Sequence, residues 1–180
     1  MKTYKSMMIS SLIAAALLIS ACGQKEEETH TRIRGGGIAG VAADGATKQA
    51  QDQLDAQGVG MAISSISKLS DTSSGFLYIK TSLSIGSTPG EIRTGHPLNQ
   101  TGKDNFTGTS AGMPVEVTGY CADTKCNWYY LNIDVFQGTT FLYQVGVLRD
   151  FLHGQDLYKV NLPASRIQAS DMFQALYNSY

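Results

Sequence analysis

Between residues 75 and 162 apolar side chains recur at every second position. Leu77, Ile79, Leu83 and Ile85 alternate with Tyr78, Lys80, Ser82 and Ser84, the pattern of a half-buried strand. Val115 and Val117 flank Glu116 in a second strand that ends near Tyr120. Residues 128–136 form a third, with Tyr129, Leu131, Ile133 and Val135 on one face and Trp128, Tyr130, Asn132 and Asp134 on the other. After a turn at Gly138, Phe141, Tyr143, Val145 and Val147 keep step in a fourth strand, and residues 157–162 make a fifth before Pro163. The period then changes: Phe173, Leu176, Tyr177 and Tyr180 are spaced as one helix face, with Ser170 as candidate N-cap. The expected fold is therefore mainly β, a small antiparallel meander or barrel of about five strands with a C-terminal amphipathic helix over an open end or edge of the sheet. Residues 86–112 carry Gly, Thr, Asn, Ser and Pro with few apolar positions and are expected to be one long loop.

Residues 22–74 read as a tether. Glu26, Glu27 and Glu28 precede Gly35, Gly36 and Gly37, a composition that buries no core. Ala46, Ala50 and Leu54 form a narrow stripe on a marginal helix over residues 42–57, and the spacing of Ile63, Ile66 and Leu69 predicts a helical continuation over 61–69. Gly35, Gly37 and Gly40 match the dinucleotide fingerprint in spelling only, since no buried strand precedes them.

The first 21 residues read as a leader. Lys2 and Lys5 precede an uncharged, mostly apolar run over residues 7–20, long enough for a signal peptide and short of the roughly 20 residues of a bilayer span. Ile19-Ser20-Ala21-Cys22 follows, and it resembles the lipobox of bacterial lipoproteins. The resemblance covers residues 1–23. It implies a diacylglycerol thioether on Cys22, cleavage before that residue and acylation, commonly by palmitate, of the new amino group. Gly23 rather than aspartate next to the cysteine implies the outer membrane, facing the periplasm or the cell surface. Two or three acyl chains at about 0.8 kcal/mol per buried CH₂ make such an anchor stable.

The chain has three cysteines. With Cys22 lipidated in an exported protein, Cys121 and Cys126 are expected to form a structural disulfide at a hairpin tip. The redox signature would need two intervening residues where four stand here, and no metal ligands lie nearby in sequence. A formal net charge of −1, more negative once Lys2 and Lys5 are removed, argues against nucleic acid as a partner.

Gly112-x-x-Val115-x-Val117-x-Gly119, then Trp128-Tyr129 and Gly138 before an apolar strand, resemble the core of bacterial Src-homology-three-like barrels. The resemblance covers residues 113–145, under half the chain, and lacks a tryptophan at the end of the fourth strand. It implies a module that binds peptides or cell-wall material. Tyr78, Tyr120, Trp128 and Tyr130 are the candidate binding residues, because Tyr and Trp supply rigid amphipathic contact area. The expected product is a non-catalytic envelope lipoprotein with a small domain for an envelope protein or peptidoglycan, without metal or cofactor. The rival readings are a periplasmic hydrolase using His153 with Asp150 or Asp156 and a serine such as Ser84, Ser87 or Ser110, and a structural envelope component with no discrete ligand. No His-Glu-x-x-His pair supports an enzyme. Asp123, Asp134 and Glu116 are expected on solvent faces.

Overall fold

The computed structural model describes residues 41–162 and 166–180. The leader, Cys22, His30 and the glycines at 35, 37 and 40 lie outside the described residues. The described chain runs β1 (Val41–Ala43), α1 (Gly45–Ala56), β2 (Met61–Asp71), β3 (Phe76–Ile85), β4 (Thr88–Pro97), β5 (Gly102–Ser110), β6 (Met113–Cys121), β7 (Trp128–Gln137), β8 (Thr140–Asp150), β9 (Gln155–Asn161) and α2 (Ala169–Asn178). The fold is mainly β, with nine strands among the described residues where about five were expected. They make a six-stranded sheet in the order β1-β9-β8-β7-β6-β5 and a three-stranded sheet β2-β3-β4. All pairings are antiparallel except the short β1 alongside β9.

One core lies between the sheets. Ile66, Leu77, Ile79, Leu83, Ile85 and Ile92 from the smaller sheet pack with Val115, Val117, Leu131, Ile133, Val135, Val145 and Val147 from the larger one. Interdigitation of two inner faces in this way is the sandwich solution to burying sheets that are apolar on one side. The opposite face of the larger sheet carries α2, which seals a smaller cluster of Tyr130, Leu148, Leu157, Met172 and Leu176. Gly146 makes that docking possible, because a Cβ there would lie 2.5 Å from Met172 Cγ. The C-terminal helix thus covers a sheet face rather than an open end or edge, and it is preceded by Gln168, with Ser170 inside the helix rather than at the expected cap.

The expected long loop over 86–112 is instead two strands and their turns. Gly86-Ser87 joins β3 to β4, and Ala111-Gly112 joins β5 to β6. Both Ala111 (φ 50°) and Gly112 (φ 76°) are left-handed, as a two-residue hairpin turn with matching twist requires. The alternation in β4 is carried inward by Ile92, Thr94 and His96, two of them polar, while β5 leaves most positions exposed. An apolar count finds neither.

Residues 61–69, expected to be helical, are strand β2, hydrogen-bonded to β3 along its length. The register shifts between Ile63 and Ser65. That bulge inserts one residue, so Ile63 and Ile66, three apart, both meet the core while Leu69 turns outward. The spacing that resembles a helix stripe is a bulged strand. At the far end of β2, Lys68 donates to the Lys125 carbonyl at 3.1 Å and lies 4.7 Å above the Phe151 ring. Helix α1 forms where a helix was expected. Asp44 caps it by accepting from Thr47 N at 2.6 Å, and Thr47, Ala50 and Leu54 are buried rather than Ala46. Gln51 accepts from the Tyr158 hydroxyl of β9 at 2.6 Å. The stretch assigned to a tether up to residue 74 therefore includes two elements, α1 and β2, whose side chains lie in the same core as β3.

Candidate functional site

Cys121 and Cys126 are joined by a disulfide, and both are buried. Asp123 shapes the loop they close: its carboxylate accepts from Lys125 N and from Trp128 N, each at 2.9 Å. The bridge and this side chain together fix where β7 begins, and hence where Trp128 sits.

Tyr120, Trp128 and Tyr130 do share the face expected of them, since Tyr120 pairs with Tyr130 across β6 and β7. Helix α2 changes what that face can do. Phe173 meets Tyr120 and Tyr130 edge-on at ring separations of 5.8 and 5.2 Å. Tyr130 is 2% exposed, so it is a core residue rather than a contact residue; burial raises its phenol pKa, with a further push from Asp134. Trp128 keeps a partly exposed edge beside Tyr177 and Tyr180. Tyr78 belongs to the other sheet. Arg93 lies 4.2 Å over its ring and Phe76 stacks beside it, on the solvent side of β2-β3-β4.

The residues near His153 converge more tightly than sequence spacing implies. Asp150, at the end of β8, is fully buried. One carboxylate oxygen accepts from Leu152 N at 2.8 Å and His153 N at 3.1 Å. The other takes His153 Nδ1 at 2.5 Å and the Tyr180 hydroxyl. Burial alone would raise the pKa of Asp150, but these hydrogen bonds outweigh it and hold the carboxyl below its ordinary value. An ionised carboxylate accepts only, so it fixes the Nδ1–H tautomer and leaves Nε2 as the open nitrogen of a ring whose side chain is 62% exposed. Asp156 does not join this group. It receives two hydrogen bonds from Arg149, at 3.0 and 3.1 Å.

Ser84, Ser87 and Ser110 do not complete a triad. They lie in β3, the β3–β4 turn and β5, and Ser110 donates to the Glu91 carbonyl. Among the described residues no hydroxyl except that of Tyr180 reaches the Asp150–His153 pair, and no group of three or more His, Cys, Asp or Glu is placed to hold a metal ion.

Asp134, expected on a solvent face, is buried with Asn132 in a polar network beneath the approach to α2. Asn132 and Gln144 each donate to Asp134 at 2.8 Å, and Arg166 donates to the same carboxylate and to Glu116. Gln144 also bonds Ile167 N and O and Asn161, so one side chain holds three segments together. A second buried polar group lies at the junction of the sheets. Tyr129 OH and Thr94 Oγ1 are 2.8 Å apart, and His96 Nε2 lies 3.0 Å from Thr94. His96, expected in a loop, is 1% exposed. Burial lowers its pKa, opposed in part by Asp104 and the Gly102 carbonyl.

Tyr177, Tyr180, Gln144 and Arg166 were not singled out from the sequence. The helix stripe containing both tyrosines was visible, but not the strand it meets. No family model matches the chain, and neither a curated protein nor a solved structure is found to be similar to it.

Proposed function

We propose that the protein is a lipid-anchored component of the bacterial cell envelope, held by Cys22 in the outer membrane, whose β-rich domain binds a protein or cell-wall partner without catalysing a reaction. Cysteine usage carries this reading. Two of the three cysteines are joined in the folded domain, as in an oxidising compartment. The remaining one stands at the end of a leader that resembles a lipobox. Intact-mass analysis of the native membrane fraction tests it. The expected product begins at Cys22 and carries diacylglycerol, and Cys22→Ser abolishes both cleavage and membrane retention. A product that keeps residues 1–21, or lacks acyl mass, overturns the anchor.

A second reading, hydrolysis by His153, is favoured by the 2.5 Å contact between its Nδ1 and the buried Asp150, an arrangement that orients an imidazole for general-base work. It takes Asp150 and not Asp156 as the orienting acid. Turnover of generic ester or peptide substrates that disappears in His153→Ala would establish it in place of simple binding.

A further inference from the structure

At one corner of the domain the start of β7, the β8–β9 turn and the end of α2 bring together an aromatic and imidazole surface. Trp128 lies edge-on to Tyr180 at 4.2 Å and to Tyr177 at 6.2 Å between ring centres. Tyr177 is 54% exposed and Leu152 is 64% exposed. His153 stands beside them with Nδ1 anchored and its ring turned to solvent.

We infer that this corner, formed by Trp128, Tyr177, His153 and Leu152 and braced by Asp150 and Tyr180, is a binding site for the neutral pyranose rings of a cell-wall glycan. The inference rests on the envelope reading above and narrows its partner to a polysaccharide. Three features of the corner fit that ligand.

A pyranose has one face of C–H groups and a rim of hydroxyls. Trp and Tyr rings offer a rigid apolar surface to the first and polar tips to the second. The angled packing of Trp128 against both tyrosines holds the indole in place before a ligand arrives, so little side-chain entropy is lost on binding. His153 supplies a hydrogen-bonding atom of fixed direction at the edge of the surface. With Nδ1 held by Asp150, Nε2 is left to hydrogen-bond a sugar hydroxyl. The charge balance points the same way. The Asp150 carboxylate is buried and directed inward to four donors, so it presents no charge at the surface. The side chains of Trp128, Tyr177 and Leu152 carry no charge, which suits a neutral sugar.

Trp128 is the single tryptophan of the chain, so its emission reports on this corner directly. Titration of the purified full chain with tetra-N-acetylchitotetraose is expected to give a saturable change in emission. Tyr177→Ala and His153→Ala, both at exposed positions, are expected to weaken the apparent affinity at least fivefold with the far-ultraviolet circular dichroism unchanged. The wild type should co-sediment with purified peptidoglycan, and Tyr177→Ala should be depleted from the pellet. No saturable change, or an affinity indifferent to both substitutions, overturns the glycan site. Recovery of a protein partner that survives Tyr177→Ala, together with failed titration, would also overturn it while leaving the broader binding reading standing. An unlipidated product removes the anchor without altering the titration.

Discussion

The two faces of the six-stranded sheet are built on different principles. The inner face is aliphatic and continuous: Val117, Leu131, Ile133 and Val145 are 2% exposed or less and meet a second sheet. The outer face is mixed. Aromatic rings occupy one end, the Asp134–Gln144–Arg166 network occupies the other, and a single ten-residue helix covers the space between them. Non-directional packing holds the first face, while directed hydrogen bonds and ring edges hold the second. The difference teaches that one face is held by packing alone and the other by directed contacts, with Tyr177 left exposed near the end of α2.

Substitutions on either side test this division. The largest effect is expected at the centre of the inner face, where Ile133→Ala should cost about 2–5 kcal/mol in chemical denaturation. On the outer face, Gln144→Ala removes a hydrogen bond from Asn161 and those to both backbone groups of Ile167. About 1–3 kcal/mol is expected, from buried groups left unsatisfied, with hydrogen exchange rising first in α2. Equal protection across the domain in that variant would mean that the network does not govern the helix.

The third expectation concerns pH. Because burial depresses the pKa of His96 in the folded state, the unfolded chain binds more protons in the window below the ordinary value of about 6.5. The stability contributed by neutral His96 is complete above that value and is lost as pH falls toward the depressed folded pKa. Its slope should not exceed about 1.4 kcal/mol per pH unit. Replacement by Gln should flatten the dependence when denaturation is compared at pH 7.5 and 5. The smallest effect belongs to Tyr177→Ala, whose exposed ring should leave stability within about 0.5 kcal/mol of wild type, and a larger loss would place that ring in the packing.

Much of the inner face was legible in the sequence, because β3, β6, β7 and β8 spell their burial in aliphatic residues at period two. The strands that escaped notice use other means. Thr94 and His96 face inward in β4 as a hydrogen-bonded pair, not as hydrophobes. β5 is an edge strand that exposes most of its side chains, and the bulge in β2 converts a strand pattern into an apparent helix stripe. The candidate site was half legible. The shared face of Trp128 and Tyr130 and the nearness of Asp150 to His153 follow from local spacing. The burial of Tyr130 and the arrival of Tyr180 at Asp150 depend on where a helix thirty residues further on comes to rest, and no local pattern encodes that.

The lysine in the bulged outermost strand of the smaller sheet has one further consequence. The β2 margin leaves backbone amides and carbonyls open to sideways pairing with another polypeptide. Lys68 shares the inward side with Ile66 but ends on a carbonyl and an aromatic ring near the surface. Any incoming strand stacking in register there would have to bury or displace an ammonium group, and the kink at Ser64 spoils the flat template it would need. The margin is thereby blunted against sheet extension by another chain.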